Sequence, residues 1–363
     1  MPDVVCYYHD PVKAPLLRDA VLPALAEAEA AGARGHVERH WLHGPHLRVR
    51  LDREADLVAD RLREHLAARP STAGTPHDEL LARSRDHGVA ELVPPPYEPI
   101  HPDNTVVVEP TDLRGVRELL GSDALVDLRS RVLRLGVPAV RDAVAADDTT
   151  ATTRVRTALI AMAAHASRYP GGLDHGYHSF QSHLEDFLLH SDPDGRLRSR
   201  FDRVWEDNAG NVTETVLAVA EDRLATPWAT WTTAAREVTE VVYDNGDLPS
   251  GDNPRHGERA VRLGDRDAIR RWHRDHRVHH SEYHRRLRAV DLEHPLLRRQ
   301  VAVYRFGTNM LYQLLAVCDV TPVERYLAAS LVARAVQRIT GVSWSEHIER
   351  MARTTPARRA HGG

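Results

Sequence analysis

His40-Trp41-Leu42-His43-Gly44-Pro45-His46-Leu47-Arg48-Val49-Arg50-Leu51 is the stretch on which the fold of this chain turns. Leu47, Val49 and Leu51 alternate with His46, Arg48 and Arg50, and successive residues of a strand face opposite sides of a sheet. One face is therefore apolar and the other cationic. Gly44-Pro45 supplies the turn, so the segment reads as one arm of a β-hairpin. Two uses of the cationic face stay open: a solvated sheet surface, the ordinary antiparallel pattern, or a row of donors for an anionic or amide-rich group.

Upstream of the hairpin, Val4 to Tyr8 is a short strand-like run, and His9-Asp10-Pro11 offers a turn and a helix start. Leu16, Leu17, Ala20, Val21, Leu25 and Ala28 then recur at helical spacing as far as Gly32. Downstream, an amphipathic segment from Glu54 to Ala68 stops at Pro70, and Ser71 to Pro76 has loop composition. Pro94-Pro95-Pro96-Tyr97-Glu98-Pro99 is a stiff, extended connector, because each proline removes a donor and turns the preceding residue away from helix. Beyond it the periodicity predicts helices near 113–121, 124–134, 153–168, 179–190, 212–223, 228–242, 265–289, 296–317 and 323–339. The expected fold class is α+β within one domain over 1–363: a strand, hairpin and helix region at 1–110 packed on a larger, mainly helical part at 111–363.

The chain has 363 residues, 42% of them hydrophobic, which is enough for a substantial core, and its net charge of -4 gives no global basic footprint for nucleic acid. Lys13 is the only lysine, so the cationic side chains are otherwise arginine. Cys6 and Cys318 are too few and too far apart for a disulfide framework or a cysteine metal site. No basic segment followed by an apolar run opens the chain, and no run approaches eighteen apolar residues, so a soluble cytoplasmic protein without membrane contact is expected.

His276, His280 and His284 lie four apart in the segment expected to be helical over 265–289, beside His273 and His279. The zinc-hydrolase pattern is missing and the arginine neighbours oppose a cation, so a solvated helix face is the preferred reading and no metal is expected. A glycine-rich phosphate loop, a dinucleotide fingerprint and a nucleophile elbow are all lacking, and no cofactor is expected.

Four stretches take the reading further: Tyr7-Tyr8-His9-Asp10-Pro11; the His40 to Leu51 hairpin; Gly176 to Leu188; and Val303 to Trp344. The last contains Tyr304-Arg305, Asn309, Leu311-Tyr312, Thr321-Pro322-Val323-Glu324-Arg325-Tyr326 and Gly341-Val342-Ser343-Trp344. In this order they resemble the thiopeptide-type bacteriocin biosynthesis family, which is similar to the C-terminal glutamate-elimination domain of class I lanthipeptide dehydratases. Stand-alone members of that family work on ribosomally made peptides. Some eliminate glutamate from glutamylated Ser or Thr. Others are thiopeptide macrocyclases, or pyridine synthases, which join two dehydroalanines in a formal [4+2] cycloaddition and expel water and the leader peptide.

Two departures bear on that choice. Aligned on Asn309, Arg305 stands where the elimination domains carry a histidine, and Met310 stands where they carry an arginine. Tyr97-Glu98-Pro99 runs into Ile100-His101-Pro102-Asp103-Asn104, without the arginine that follows in the elimination domains. Expelling a carboxylate needs a base for a weakly acidic carbon and cationic donors for the leaving group, so the losses favour the cyclase. Cycloaddition asks instead for orientation of two tethered alkenes, help in tautomerising an amide, and an acid for the departing water and leader.

The resemblance implies catalytic roles for Tyr97, Ser182, His183, Tyr304, Arg305 and Asn309, and substrate binding by His46, Arg48, Arg50 and Glu98. Local readings stand beside these: a salt-bridged sheet for the strand arginines, a helix cap for Ser182, a core aromatic for Tyr304, and packing for Tyr312. The partner implied is a precursor peptide with a leader and a dehydroalanine-containing core, alongside companion tailoring enzymes; a homodimer is left open. The alternatives are a split elimination subunit and a non-catalytic subunit that presents the precursor to other enzymes.

Overall fold

The computed structural model describes residues 2–146, 148–251, 255–273, 275–277 and 279–355. Its elements begin with β1 (Pro2–Tyr7), α1 (Ala14–Leu16), a π-helical turn (Leu17–Val21), α2 (Leu22–Ala30), β2 (Gly35–His40), β3 (His46–Leu51), α3 (Ala55–Ala68), α4 (His77–Glu91) and β4 (Thr105–Pro110). There follow α5 (Arg114–Leu120), α6 (Asp123–Leu135), α7 (Val137–Ala143), α8 (Ala151–Ser167), α9 (Leu173–Ser191), α10 (Arg196–Ala220) and α11 (Pro227–Asp244). The last are α12 (Arg255–Leu263), α13 (Arg266–Trp272), α14 (Glu282–Leu287), α15 (Arg298–Val317), α16 (Pro322–Thr340) and α17 (Trp344–Thr354). The α+β class read from the sequence holds. Contacts divide the chain into two compact units, one of Met1–Thr149, Asn253–Val278 and Gln313–Asp319, the other of Thr150–Asp252, His279–Tyr312 and Val320–Gly363.

In the first unit the hairpin forms as its alternation dictates. The sheet is antiparallel, in the order β2-β3-β1-β4. His43 and Gly44 take positive φ at the turn, which lets five residues reverse the chain. The edge strand β4 was not expected, although Thr105-Val106-Val107-Val108 is a β-branched run suited to a pleated surface. Val37, Leu47, Val49 and Leu51 on the apolar face are buried.

The other face is built by register. Arg50 lies opposite Asp3 on one side and His36 on the other, and Arg48 opposite Glu38, so arginines meet acids across strands; Asp3 also faces Glu109, a like-charged pair that Arg48 bridges by bonding to both. This face is not solvated: Arg129 of α6 reaches it and holds Glu38 Oε2 at 2.6 Å. Glu38 also accepts from Arg50 Nε at 2.6 Å and lies 2.9 Å from His36 Nε2 and 3.1 Å from His40 Nε2. Burial works against this carboxylate, but Arg129 and the hydrogen bonds from His36, His40 and Arg129 overcome it and hold Glu38 well below the usual carboxylate range.

Asp319 ties the start of α1 to a residue far along the chain. Its carboxylate accepts from the Lys13 backbone N–H at 2.7 Å, from the Ala14 N–H at 2.7 Å and from Arg39 Nη1 at 2.5 Å. Lys13 is fully buried, its ammonium donating to the Tyr8 and Asp10 carbonyls.

In the second unit α16 is the central helix. It is alanine-rich and buries residues all round its axis, including Ala328, Leu331, Val332 and Ala335, as expected of a helix packed on several sides. A capping box of Thr321 and Glu324 opens it, and Arg154 of α8 clasps Glu324 at 2.6 Å. Gly176 permits α9 to approach α8 closely, since a Cβ there would lie 2.2 Å from the Ala166 carbonyl oxygen.

One expected helix is absent. Within the segment 265–289 the described residues form two separate helices, α13 and α14, so His276, His280 and His284 do not line one helical face. His273 to Ser281 contains one apolar residue, Val278, and offers no apolar stripe to bury, while Ser281 starts a new helix by accepting from the His284 N–H. Among the described residues no helix is long and apolar enough to cross a membrane.

Replacing Glu38 with Ala should cost about 3–5 kcal/mol, because Arg129 would be left buried without its carboxylate and Arg50 would keep Asp3 alone. Urea unfolding at neutral pH measures it, with Glu38→Gln falling between the two. Gly176→Ala should cost about 3 kcal/mol or more by forcing α8 and α9 apart, read as a lowered Tm.

Candidate active site

The α9 sequence Gly176-Tyr177-His178-Ser179-Phe180-Gln181-Ser182-His183 turns two sets of side chains outward from its buried face. Ser182 lies in mid-helix, well past the N-cap Gly172, so it is not a cap. Its Oγ is 2.9 Å from His284 Nε2, and His284 Nδ1 is 2.7 Å from Ser281 Oγ. The next residue, His183, places Nδ1 3.1 Å from the Tyr312 hydroxyl.

The Arg325 guanidinium lies 4.3 Å from the centre of the Tyr312 ring and 4.9 Å from that of Tyr326, whose ring stacks on Phe187 at 4.0 Å. Arg305, Asn309 and Tyr312 fall at i, i+4 and i+7 of α15, on one side of the helix. Arg305 Nη1 donates to the Gly251 carbonyl at 2.7 Å, and Asn309 is exposed.

Burial and the Arg325 cation, opposed by Asp186 and joined by Arg305 and His284, lower the His183 imidazole to about 4. His183 is thus neutral at physiological pH. Burial, only partly offset by Arg325, drives the Tyr312 phenol upward, so it keeps its proton. Around α9 the second unit therefore gathers Arg305, which donates to a carbonyl oxygen, Arg325 over the Tyr312 ring, the neutral His183 imidazole, and hydroxyls with both a donor and acceptor lone pairs. Such a set orients and polarises amides.

Tyr304 belongs to a different neighbourhood. Its hydroxyl donates to the Gly176 carbonyl at 2.9 Å, its ring stacks on His165 at 4.3 Å, and burial pushes its phenol well above the ordinary value. It fastens α15 to α9.

In the first unit the strand residues separate by environment. Arg50 is buried and bonded to Glu38 and to Asp3 at 2.9 Å. Arg48, somewhat more open, joins Asp3 at 2.8 Å and Glu109 at 2.9 Å. His46 Nδ1 is 2.9 Å from the Gly44 carbonyl, while its Nε2 is buried without a protein partner. Burial first, then His40, lowers this imidazole well below the usual histidine range. Tyr97 donates to the Val93 carbonyl at 2.9 Å, and Glu98 is exposed, with His77 Nε2 at 4.0 Å.

The ten residues named from the sequence thus split five and five. His46, Arg48, Arg50, Tyr97 and Glu98 stand in the first unit; Ser182, His183, Tyr304, Arg305 and Asn309 stand in the second. Sequence reasoning missed Tyr312, Arg325 and His284 as members of the polar group. The spacing of Arg305 and Tyr312 signals the first, and Arg325 was visible only as part of a packing motif. His284 meets Ser182 across 102 residues and gave no local signal.

Residues 4–336 match the family model described as lantibiotic biosynthesis dehydratase C-term, and the chain belongs to that family. Among solved structures, the fold is similar to that of the pyridine synthase TbtD from thiomuracin biosynthesis, with a TM-score of 0.67 and 22% identity over 94% of this chain and 98% of that one. It is also similar to TsrL, with a TM-score of 0.65 and 18% identity over 97% of this chain and 98% of that one. No curated protein sequence matches significantly.

The buried histidines of the second unit fix a pH dependence. Burial lowers His165 to about 3, and burial, with His347 and His175, lowers His178 to about 3. An unfolded histidine titrates near 6.5, so below that pH the unfolded chain binds more protons than the folded one. Stability should therefore fall as pH drops from about 6.5 towards 4, by up to about 1.4 kcal/mol per pH unit for each such histidine. Urea unfolding across this range measures the slope, and His178→Gln should make it shallower.

Proposed function

We propose that this protein is a thiopeptide-type macrocyclase: it joins two dehydroalanines of a ribosomal precursor peptide into a six-membered nitrogen heterocycle by formal [4+2] cycloaddition, with loss of water and the leader. The observation that carries this reading is Arg305. At the position where elimination domains carry a histidine, this chain carries a guanidinium, which stays protonated and cannot act as a base. The neighbouring His183, at about 4, is a weak base for a carbon acid. The similarity in fold to a pyridine synthase supports the same reading.

The roles follow from the chemistry of the side chains. Arg305 and Arg325 hold peptide carbonyls and steady charge that develops on oxygen. Ser182 and Tyr312 supply and receive protons during amide tautomerisation and departure of water, with His183 orienting the Tyr312 hydroxyl. Asn309, exposed beside Arg305, contacts the peptide backbone. Holding two tethered alkenes in reacting geometry supplies up to about 7–11 kcal/mol in well-oriented systems, which is where most of the acceleration arises.

In the first unit Arg48 and the unpartnered Nε2 of His46 contact the leader, with Tyr97 and Glu98 on the connector extending that surface. Arg50, bonded to Glu38 and Asp3, serves the sheet.

Mass spectrometry tests the proposal on a leader-bearing peptide with two dehydroalanines, incubated beside the same peptide carrying glutamyl esters. The expected result is release of the leader as a separate carboxamide, with a core lighter by that leader and one water. Loss of glutamate from the ester alone would replace the cyclase with an elimination subunit, and unchanged masses with retained binding would replace it with a presenting protein. Arg305→Ala should lower the rate of leader release by about 100-fold or more.

A further inference from the structure

Ser182, His284 and Ser281 form a chain of hydrogen bonds that no motif in the sequence announces. Ser182 Oγ is 2.9 Å from His284 Nε2, and His284 Nδ1 is 2.7 Å from Ser281 Oγ. A hydroxyl bonded to an imidazole whose other nitrogen is held by a third group is the arrangement by which proteins make a serine exchange its proton. The geometry points to His284 as the residue that takes and returns the proton of Ser182 during amide tautomerisation, with Ser281 fixing the imidazole; this assignment rests on the cyclase reading above.

Three observations favour a working relay over incidental contact. First, Ser182 Oγ reaches out of mid-helix to another element, although serine in a helix ordinarily bonds back to its own preceding turn. Second, His284 is held from behind. Tyr283, the residue before it, is fully buried and donates to the His178 carbonyl of α9 at 3.1 Å, with its ring 5.4 Å from Trp344 of α17. Tyr283 also belongs to an apolar cluster with Val290 and Ile348, so the short helix α14 is anchored through the neighbour of the working residue. Third, Ser281 Oγ already accepts the His284 backbone N–H at 3.3 Å. With a second lone pair it also accepts the Nδ1 proton, which leaves Nε2 as the acceptor facing Ser182.

The proton count closes. Ser182 Oγ accepts the amide N–H proton while its own proton moves to His284 Nε2, giving an imidazolium whose Nδ1–H stays on Ser281. The imidazolium then returns the Nε2 proton to Ser182, and Ser182 delivers a proton to the former carbonyl oxygen. One proton passes from nitrogen to oxygen, and all three side chains end as they began. His284 acts through Ser182 and is a positioning residue. Charged and titratable groups that meet α14 include His178 of α9, whose Nδ1 is 3.0 Å from the Tyr283 hydroxyl, Glu185 of α9, which acts electrostatically on Tyr283, His183 of α9, which His284 influences electrostatically, and Glu349 of α17, which pairs with Arg286 on the exposed side.

The experiment combines a substrate-free measurement with turnover. Nitrogen-15 histidine NMR on the full-length protein, with the His284 signal identified by its loss in His284→Gln, follows the imidazole between pH 5 and 8. Ser182→Ala should change its titration midpoint and tautomer balance; an unchanged signal would overturn the relay whatever the reaction proves to be. In turnover of the dehydroalanine peptide, His284→Gln should lower kcat 100-fold or more with little change in KM, and should abolish the acid limb of the pH profile. Ser281→Ala should lower kcat about 10-fold, and Ser281→Thr should restore it. A wild-type pH profile and kcat in His284→Gln would overturn the assignment. If the wild-type protein forms no heterocycle, the function reading fails by that result, while the NMR coupling still decides whether the relay exists.

Discussion

A carboxylate carried into a protein interior must take its counter-charge with it, and Glu38 imposes that condition on the first unit. The sheet register answers part of it by setting arginines of β3 opposite acids of β1 and β2, and α6 answers the rest by bringing Arg129 down onto the sheet. The helix that covers the polar face is thus chosen by charge as much as by apolar area. The same condition decides which strand arginines remain open to a ligand. Arg50 is used up inside the network, whereas Arg48 and His46, nearer the turn, keep some capacity for other partners.

The second unit solves the reverse problem. An alanine-rich helix and close helix approaches make a tight apolar body, and the polar groups of α9, α15 and α16 collect where that packing ends. Buried imidazoles there stay neutral because charging them would cost more than their neighbours return. A site built from neutral imidazoles, hydroxyls and permanently charged guanidiniums suits reactions in which protons are passed along and little net charge accumulates.

Much of this was legible in the sequence where the signal is local. Alternation over residues 46–51 gave the hairpin, and Thr321-Pro322 with Glu324 gave the start of α16. The motif Gly176 to Leu188 falls within α9 and carries the pair Ser182 and His183, yet without the helix start it could not exclude a cap. Spacing misled at His276, His280 and His284, because helical spacing without an apolar stripe does not commit a segment to helix. What remained hidden depends on distant contacts. The charge pairing of Arg50, the use of the Tyr304 hydroxyl by Gly176, and the meeting of Ser182 with His284 all join residues that no local pattern connects.

The interior position of Lys13 has a further meaning beside the two cysteines. Lys13 is the chain's sole lysine and is fully buried, and Cys6 and Cys318 are buried thiols. Burial raises both thiols, Cys6 to about 12, so neither offers a thiolate at physiological pH. The folded surface therefore presents neither a lysine amine nor a cysteine sulfur, and its cationic side chains are guanidiniums, which are poor nucleophiles. Dehydroalanine is an alkene that captures amines and thiols by conjugate addition. On the proposed cyclase reading, a protein that displayed those groups would be consumed by its own substrate over many turnovers, and burial of Lys13, Cys6 and Cys318 keeps them out of reach.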